Sequence, residues 1–124
     1  MRVKLDKEDS KVVKDNETYT LLDNTTLNKL IVSKTILHPS QETNGHKHKG
    51  QEEVYQFISG HGKMEVNPEW QRGGAFFVRP GDTVLIRDGY FHKVWNESET
   101  EDLIFICVFE KYDRDSNVAN YDEQ

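Results

Sequence analysis

Gly45-His46-Lys47-His48-Lys49-Gly50-Gln51-Glu52-Glu53-Val54-Tyr55-Gln56-Phe57-Ile58-Ser59-Gly60 is the stretch whose reading decides the fold. Its second half alternates as a strand does, with Glu53, Tyr55 and Phe57 on one face and Val54 and Ile58 on the other. His46 and His48 are two residues apart, so an extended chain points both imidazoles to one side. A third imidazole stands downstream in Gly89-Tyr90-Phe91-His92-Lys93-Val94-Trp95-Asn96. His46, His48, His92 and the carboxylate of Glu53 make a ligand set suited to one borderline divalent transition metal: Fe, Mn, Ni, Co or Zn. Taken by itself, a His-x-His pair among lysines is equally compatible with two solvated side chains.

Working outward, the chain reads as short apolar runs cut by turn residues. The runs are 30–37, 54–58, 63–66, 75–78, 83–86, 91–95 and 103–109. Ser59-Gly60-His61-Gly62 between two of them is a hairpin signal, and Pro80-Gly81-Asp82 and Asp88-Gly89 are turns. No window sustains a helical period. Strands at this spacing predict an all-β sandwich or barrel. Alternation from His92 places Val94 and Asn96 inside and Phe91 and Trp95 outside. The run Leu103 to Phe109 is apolar at every position, which predicts a strand covered on both faces.

Length and charge bound the rest. One domain accounts for 124 residues. Residues 1–29 read as an arm with a first strand, 30–111 as the barrel, and 112–124 as a polar tail. The net charge of -6 argues against nucleic acid, which demands a surplus of Lys and Arg on one face. No apolar run approaches the ~20 residues of a membrane span, and no signal peptide is legible, so a cytoplasmic location is expected. The single cysteine, Cys107, excludes an intrachain disulfide and reads as a small core residue rather than a nucleophile.

The two histidine motifs resemble those of the cupin superfamily. In the first, His46, His48, Glu53 and Gly60 match, with Gly45 closer to the pair than is usual. In the second, Gly81, Gly89, His92 and Asn96 match, while Arg87 stands where the family has proline. The resemblance covers roughly residues 30 to 110. It implies a double-stranded β-helix, or jelly-roll barrel, with His46, His48, Glu53 and His92 as metal ligands. A narrower likeness, over Pro39 to His48, Glu53-Val54-Tyr55 and Gly60-x-Gly62-Lys63-Met64, is to the archaeal-type glucose-6-phosphate isomerase cupins.

Three functions stay open. One is a metal-dependent enzyme for a small polar metabolite, of the sugar or sugar-phosphate isomerase or epimerase type, with Glu53 or Tyr55 as the proton-transfer group. The second is an iron-dependent dioxygenase, and the third a non-catalytic module for a small ligand. Tyr55 reads equally as core filler. Lys63, Arg79 and Arg87 are candidate substrate-binding cations, as is Lys34, although each also suits a solvated strand edge. His38 lies near the first motif, and His61 is expected to be exposed. The outward set Val54, Ile58, Phe91 and Trp95 asks for a cover, from a homodimer or from the N-terminal arm.

Overall fold

The computed structural model describes residues 1–111, so the expected polar tail lies outside the described residues. Nine strands run in chain order: β1 Lys11–Asp15, β2 Tyr19–Asn24, β3 Leu30–Leu37, β4 Glu53–Ser59, β5 Gly62–Asn67, β6 Phe76–Val78, β7 Thr83–Ile86, β8 Phe91–Asn96 and β9 Leu103–Glu110. A single 3-10 turn spans Glu69–Gln71. All seven expected runs are strands. The segment before residue 30 adds two more, so the sheet begins at Lys11. The first is a short edge strand with a bulge, and the bulge hides its alternation.

The strands form two sheets, of order β1-β2-β3-β9-β4-β7 and β6-β5-β8. Every pairing is antiparallel. The inner faces of both sheets meet in one core, with Tyr55, Phe57, Phe105 and Phe109 from the large sheet and Met64, Val78 and Val94 from the small one. This is the expected double-stranded β-helix. In-phase alternation across β3, β9 and β4 builds it, since a slip of one residue would turn every inward side chain outward.

One expectation is corrected. The Ser59–Gly62 link does not close a hairpin: β4 pairs with β7 and β9, whereas β5 pairs with β6 and β8. The chain turns a corner between sheets there, helped by a register shift between Phe57 and Ser59 and by Gly60 at φ 93°. A Cβ on Gly60 would lie 2.9 Å from Leu103 Cα and also press on the Asp102 carbonyl, so the corner requires glycine. Strand β9 is buried on its inner face and half-buried on its outer face within the single chain. Leu103, Phe105, Cys107 and Phe109 are buried, but Ile104, Ile106 and Val108 are half-buried on the outer side.

The outward set points as alternation requires. Val54, Ile58 and Leu85 are exposed. Phe91 and Trp95 are half-buried beneath their own chain: the Arg72 guanidinium lies 3.3 Å from the centre of the Phe91 ring, and the Lys93 ammonium lies 5.1 Å from that of Trp95.

Asn96 locks β8 to the far end of β3. Its buried amide nitrogen donates towards the carbonyls of Leu37 (2.9 Å), His38 (3.1 Å) and Glu101 (2.8 Å), and its oxygen accepts from the Ser98 amide. Removing that amide leaves buried carbonyls without donors, at a cost of about 1–3 kcal/mol. Asn96→Ala is therefore expected to lower the denaturant midpoint by that order with the m-value unchanged. An unaltered midpoint would refute the role given to Asn96.

Candidate metal centre

The site is built by a stretch outside the named strands. Residues 41–48 run antiparallel beside β8. Asn96 N–H donates to Gln41 C=O, Thr43 N–H to Val94 C=O, and Val94 N–H to Thr43 Oγ1. Further along, His46 and His92 exchange both backbone hydrogen bonds, at 3.1 and 2.9 Å. Between the Glu42–Trp95 and His46–His92 bridges this stretch contains one residue more than β8 does. That extra residue is accommodated at Gly45, at φ 77°, where a Cβ would lie 2.6 Å from the Phe91 ring. The shift sets His46 directly opposite His92.

His46, His48 and His92 form a cluster able to hold a metal ion, with one ring nitrogen from each lying within 4.8 Å of the others. Ring centroids are 4.7 Å apart for His46–His48, 4.6 Å for His46–His92 and 5.5 Å for His48–His92. His92 Nδ1 lies 3.3 Å from the Tyr90 carbonyl, which fixes the proton there and presents Nε2 to the cluster. Glu53, at the start of β4, reaches the same place. Its Oε1 is 2.9 Å from His48 Nε2 and its Oε2 is 3.8 Å from His92 Nε2.

The electrostatics suit a cation. Burial, then the neighbouring His92 and His48, and last the Lys14 ammonium push the His46 imidazole down to about 3. His92 is also lowered, chiefly by burial, with Glu53 opposing. Both rings are thus neutral at ordinary pH and keep a lone pair for a metal. Both nitrogens of His46 and Nε2 of His92 are buried with no hydrogen-bond partner in the protein. These orphaned donors fit a divalent metal ion.

The other candidates are placed as follows. Tyr55 is buried below the cluster, its ring 5.6 Å from that of His92 and stacked on Phe105 at 5.2 Å. It shares a hydrogen bond with the Cys107 thiol, which burial pushes well above its ordinary pKa, so Cys107 is the core residue expected of it. The three expected cations do not converge. Lys63 pairs with Glu97 at 3.2 Å, and Arg79 lines a surface groove with Glu97, His61 and Phe77. Arg87 borders a different groove with Glu52, Glu53 and Leu85. Alternation explains this, since Lys63 and Arg87 each neighbour an inward residue, Met64 and Ile86. Lys34 faces outward between the buried Ser33 and Thr35. His38 faces Asp102 at 3.2 Å, away from the cluster, and His61 is exposed.

The inward turn of Lys14 was not legible in the sequence. Opposite β2, β1 contains one extra residue between Val12 and Lys14, so Lys14 stands opposite Leu21. Leu21 lies in register with Thr35 and Phe105 on the inner face. No periodicity in Lys11-Val12-Val13-Lys14-Asp15 reveals that bulge.

The model of the Cupin_2 family, described as a cupin domain, matches residues 33–109. Among solved structures, the chain is similar to an RmlC-like cupin from Shewanella frigidimarina, with a TM-score of 0.70 and 16% identity over 88% of this chain and 90% of that one. It is similar to TT1209 of Thermus thermophilus, with a TM-score of 0.67 and 21% identity over 77% of this chain and 86% of that one. It is also similar to Bacillus subtilis oxalate decarboxylase, a protein with Mn(II) centres, with a TM-score of 0.70 and 21% identity over 80% of this chain but 28% of that one. No curated protein matches in sequence. Among the described residues, no helix is long and apolar enough to cross a membrane.

The cluster generates a direct test. The double variant His46→Ala/His48→Ala should lose stoichiometric metal in elemental analysis, while His38→Ala should keep it. Full metal content in the double variant would contradict the assignment.

Proposed function

Since the chain belongs to the Cupin_2 family of cupin domains, we propose that it is a metal-dependent enzyme whose small polar substrate coordinates a metal held by His46, His48, His92 and Glu53. The observation that carries this reading is the set of buried, partnerless nitrogens on His46 and His92. Each such group costs about 1–3 kcal/mol if left unsatisfied, a cost that ligation removes. A bound divalent metal supplies Lewis acidity and an open position for a substrate oxygen. Glu53 lies within reach of His48 and His92 and is the group we assign to proton transfer; Tyr55 walls the site from below.

A second reading, an iron-dependent dioxygenase, is favoured by the wall itself. Tyr55 stacks on Phe105 and Phe57 packs against Phe105 at a tilt, and Lys63 pairs with Glu97 while Arg79 borders a groove with Glu97 and His61. Elemental analysis of protein purified without chelator, with oxygen uptake on a panel of small metabolites, separates the two. Manganese, nickel, cobalt or zinc without oxygen uptake supports the isomerase type. Iron with substrate-dependent uptake supports the dioxygenase. Absence of any metal would refute both and leave a non-catalytic small-ligand module.

We further propose a homodimer through the outer face of the large sheet. There Val32, Val108, Val54 and Leu85 stand in one cross-strand row, and Leu85 is 71% exposed. A flat aliphatic row of this kind is self-complementary across a two-fold axis. Light scattering should give twice the 14.5 kDa of one chain, and Leu85→Asp should shift it to the monomer. A monomeric wild-type protein would contradict the claim.

A further inference from the structure

Burial alternates without a break along the chain into β4: Gln51, Glu53, Tyr55 and Phe57 are buried, whereas Glu52, Val54 and Gln56 are exposed. Gln51 therefore extends the inner face of β4 one step past Glu53, on the side away from Tyr55. Two residues apart on an extended chain, the Gln51 and Glu53 side chains leave the backbone about 7 Å from each other. The loop that carries Gln51 is pinned: Gly89 N–H donates to His48 C=O at 3.1 Å, and Gly50 N–H donates to the Asp88 carboxylate at 2.6 Å. Gln51 itself is 3% exposed, and its Nε2 donates to the carbonyl of Glu110, the residue after Phe109, which is the Cα partner of Glu53. That bond fixes which way the amide faces, because exchanging its nitrogen and oxygen would set two acceptors against each other. Its Oε1 is left buried with no hydrogen-bond partner among the described residues.

A buried amide oxygen without a donor is costly, and only an O–H or N–H group relieves it; an ionised carboxylate cannot. Gly50 and Glu52, on either side of Gln51, line one surface groove with Glu53, Asp88 and Glu110. Among the described residues, no lysine or arginine lines that groove, and its carboxylates disfavour an anion. A metal at the histidine cluster would in turn repel an ammonium group. A neutral hydroxyl meets both conditions. We propose that Gln51 Oε1 accepts a hydrogen bond from a hydroxyl of the ligand at the histidine cluster, so that the ligand is an uncharged, hydroxylated small molecule. This rests on the metal-centre reading above and adds the substrate class. Gln51 is the residue that selects it.

The test is calorimetry on the full-length chain, metal-free and loaded with Co(II). The titrants are glycerol, erythritol, xylose and glucose, and the matching acids glycerate, erythronate, xylonate and gluconate. Wild type should bind at least one neutral member more tightly than its acid. Gln51→Met, which keeps the length of the side chain but offers no amide oxygen, should weaken that neutral ligand about tenfold. A deoxy analogue lacking the contacted hydroxyl should lose about tenfold against wild type and nothing further against Gln51→Met, a coupling that a merely structural role for Gln51 would not produce. Cobalt affinity in Gln51→Met should stay within about threefold of wild type, because Gln51 is not a metal ligand. Loss of cobalt from Gln51→Met, or equal affinity of the neutral ligand for both proteins, overturns the proposal. So does wild type that binds the acids as tightly as the neutral members, or binds no neutral member in either form; this comparison stands even where Gln51→Met does not fold. Failure of wild type to hold cobalt overturns the metal reading alone, and the metal-free titration then decides Gln51 by the same comparison.

Discussion

The antiparallel pairing of residues 41–48 with β8 is the constraint on which the site depends. It joins two motifs far apart in sequence and sets His46 across from His92 through a reciprocal pair of backbone hydrogen bonds. Thr43 and Asn96 fasten the same seam from the other end. Gly45 absorbs the extra residue that makes the register come out right. Glu53 arrives independently, from the first position of β4, where pairing with Ile86 and Phe109 holds it on the inner face. The cluster is thus fixed by main-chain bonds, and its imidazoles remain available to a ligand.

The barrel interior divides in two. Below the histidines, Tyr55 stacks on Phe105 and Phe57 packs against Phe105 at a tilt, filling the space. Burial there keeps His46 and His92 neutral, which costs solvation and creates the demand for a cation. Packing and chemistry are therefore linked at this site: the burial that comes with the fold also lowers the His46 and His92 imidazoles.

Much of this was legible in the sequence. Alternation around Glu53 and His92 placed Tyr55, Phe57, Val94 and Asn96 inside, and all four are buried. The ligand types and their spacing marked the cluster. What escaped was decided by register rather than by composition. The bulge in β1 hid a strand and turned Lys14 inward, and the corner at Gly60 looked like a hairpin turn because both need a residue at positive φ. Within one chain the outer side of β9 is half-buried at Ile104, Ile106 and Val108. Lys63 flanks the inward Met64, and Arg79 and Arg87 follow the last residues of β6 and β7.

Pulsed electron paramagnetic resonance of the protein loaded with one equivalent of Mn(II) tests the central claim most directly, because it counts the imidazole nitrogens bound to the ion. The geometry of His46, His48 and His92 predicts couplings from three imidazoles in a single site. A spectrum of fully hydrated manganese, with no histidine nitrogen coupling, would contradict the account.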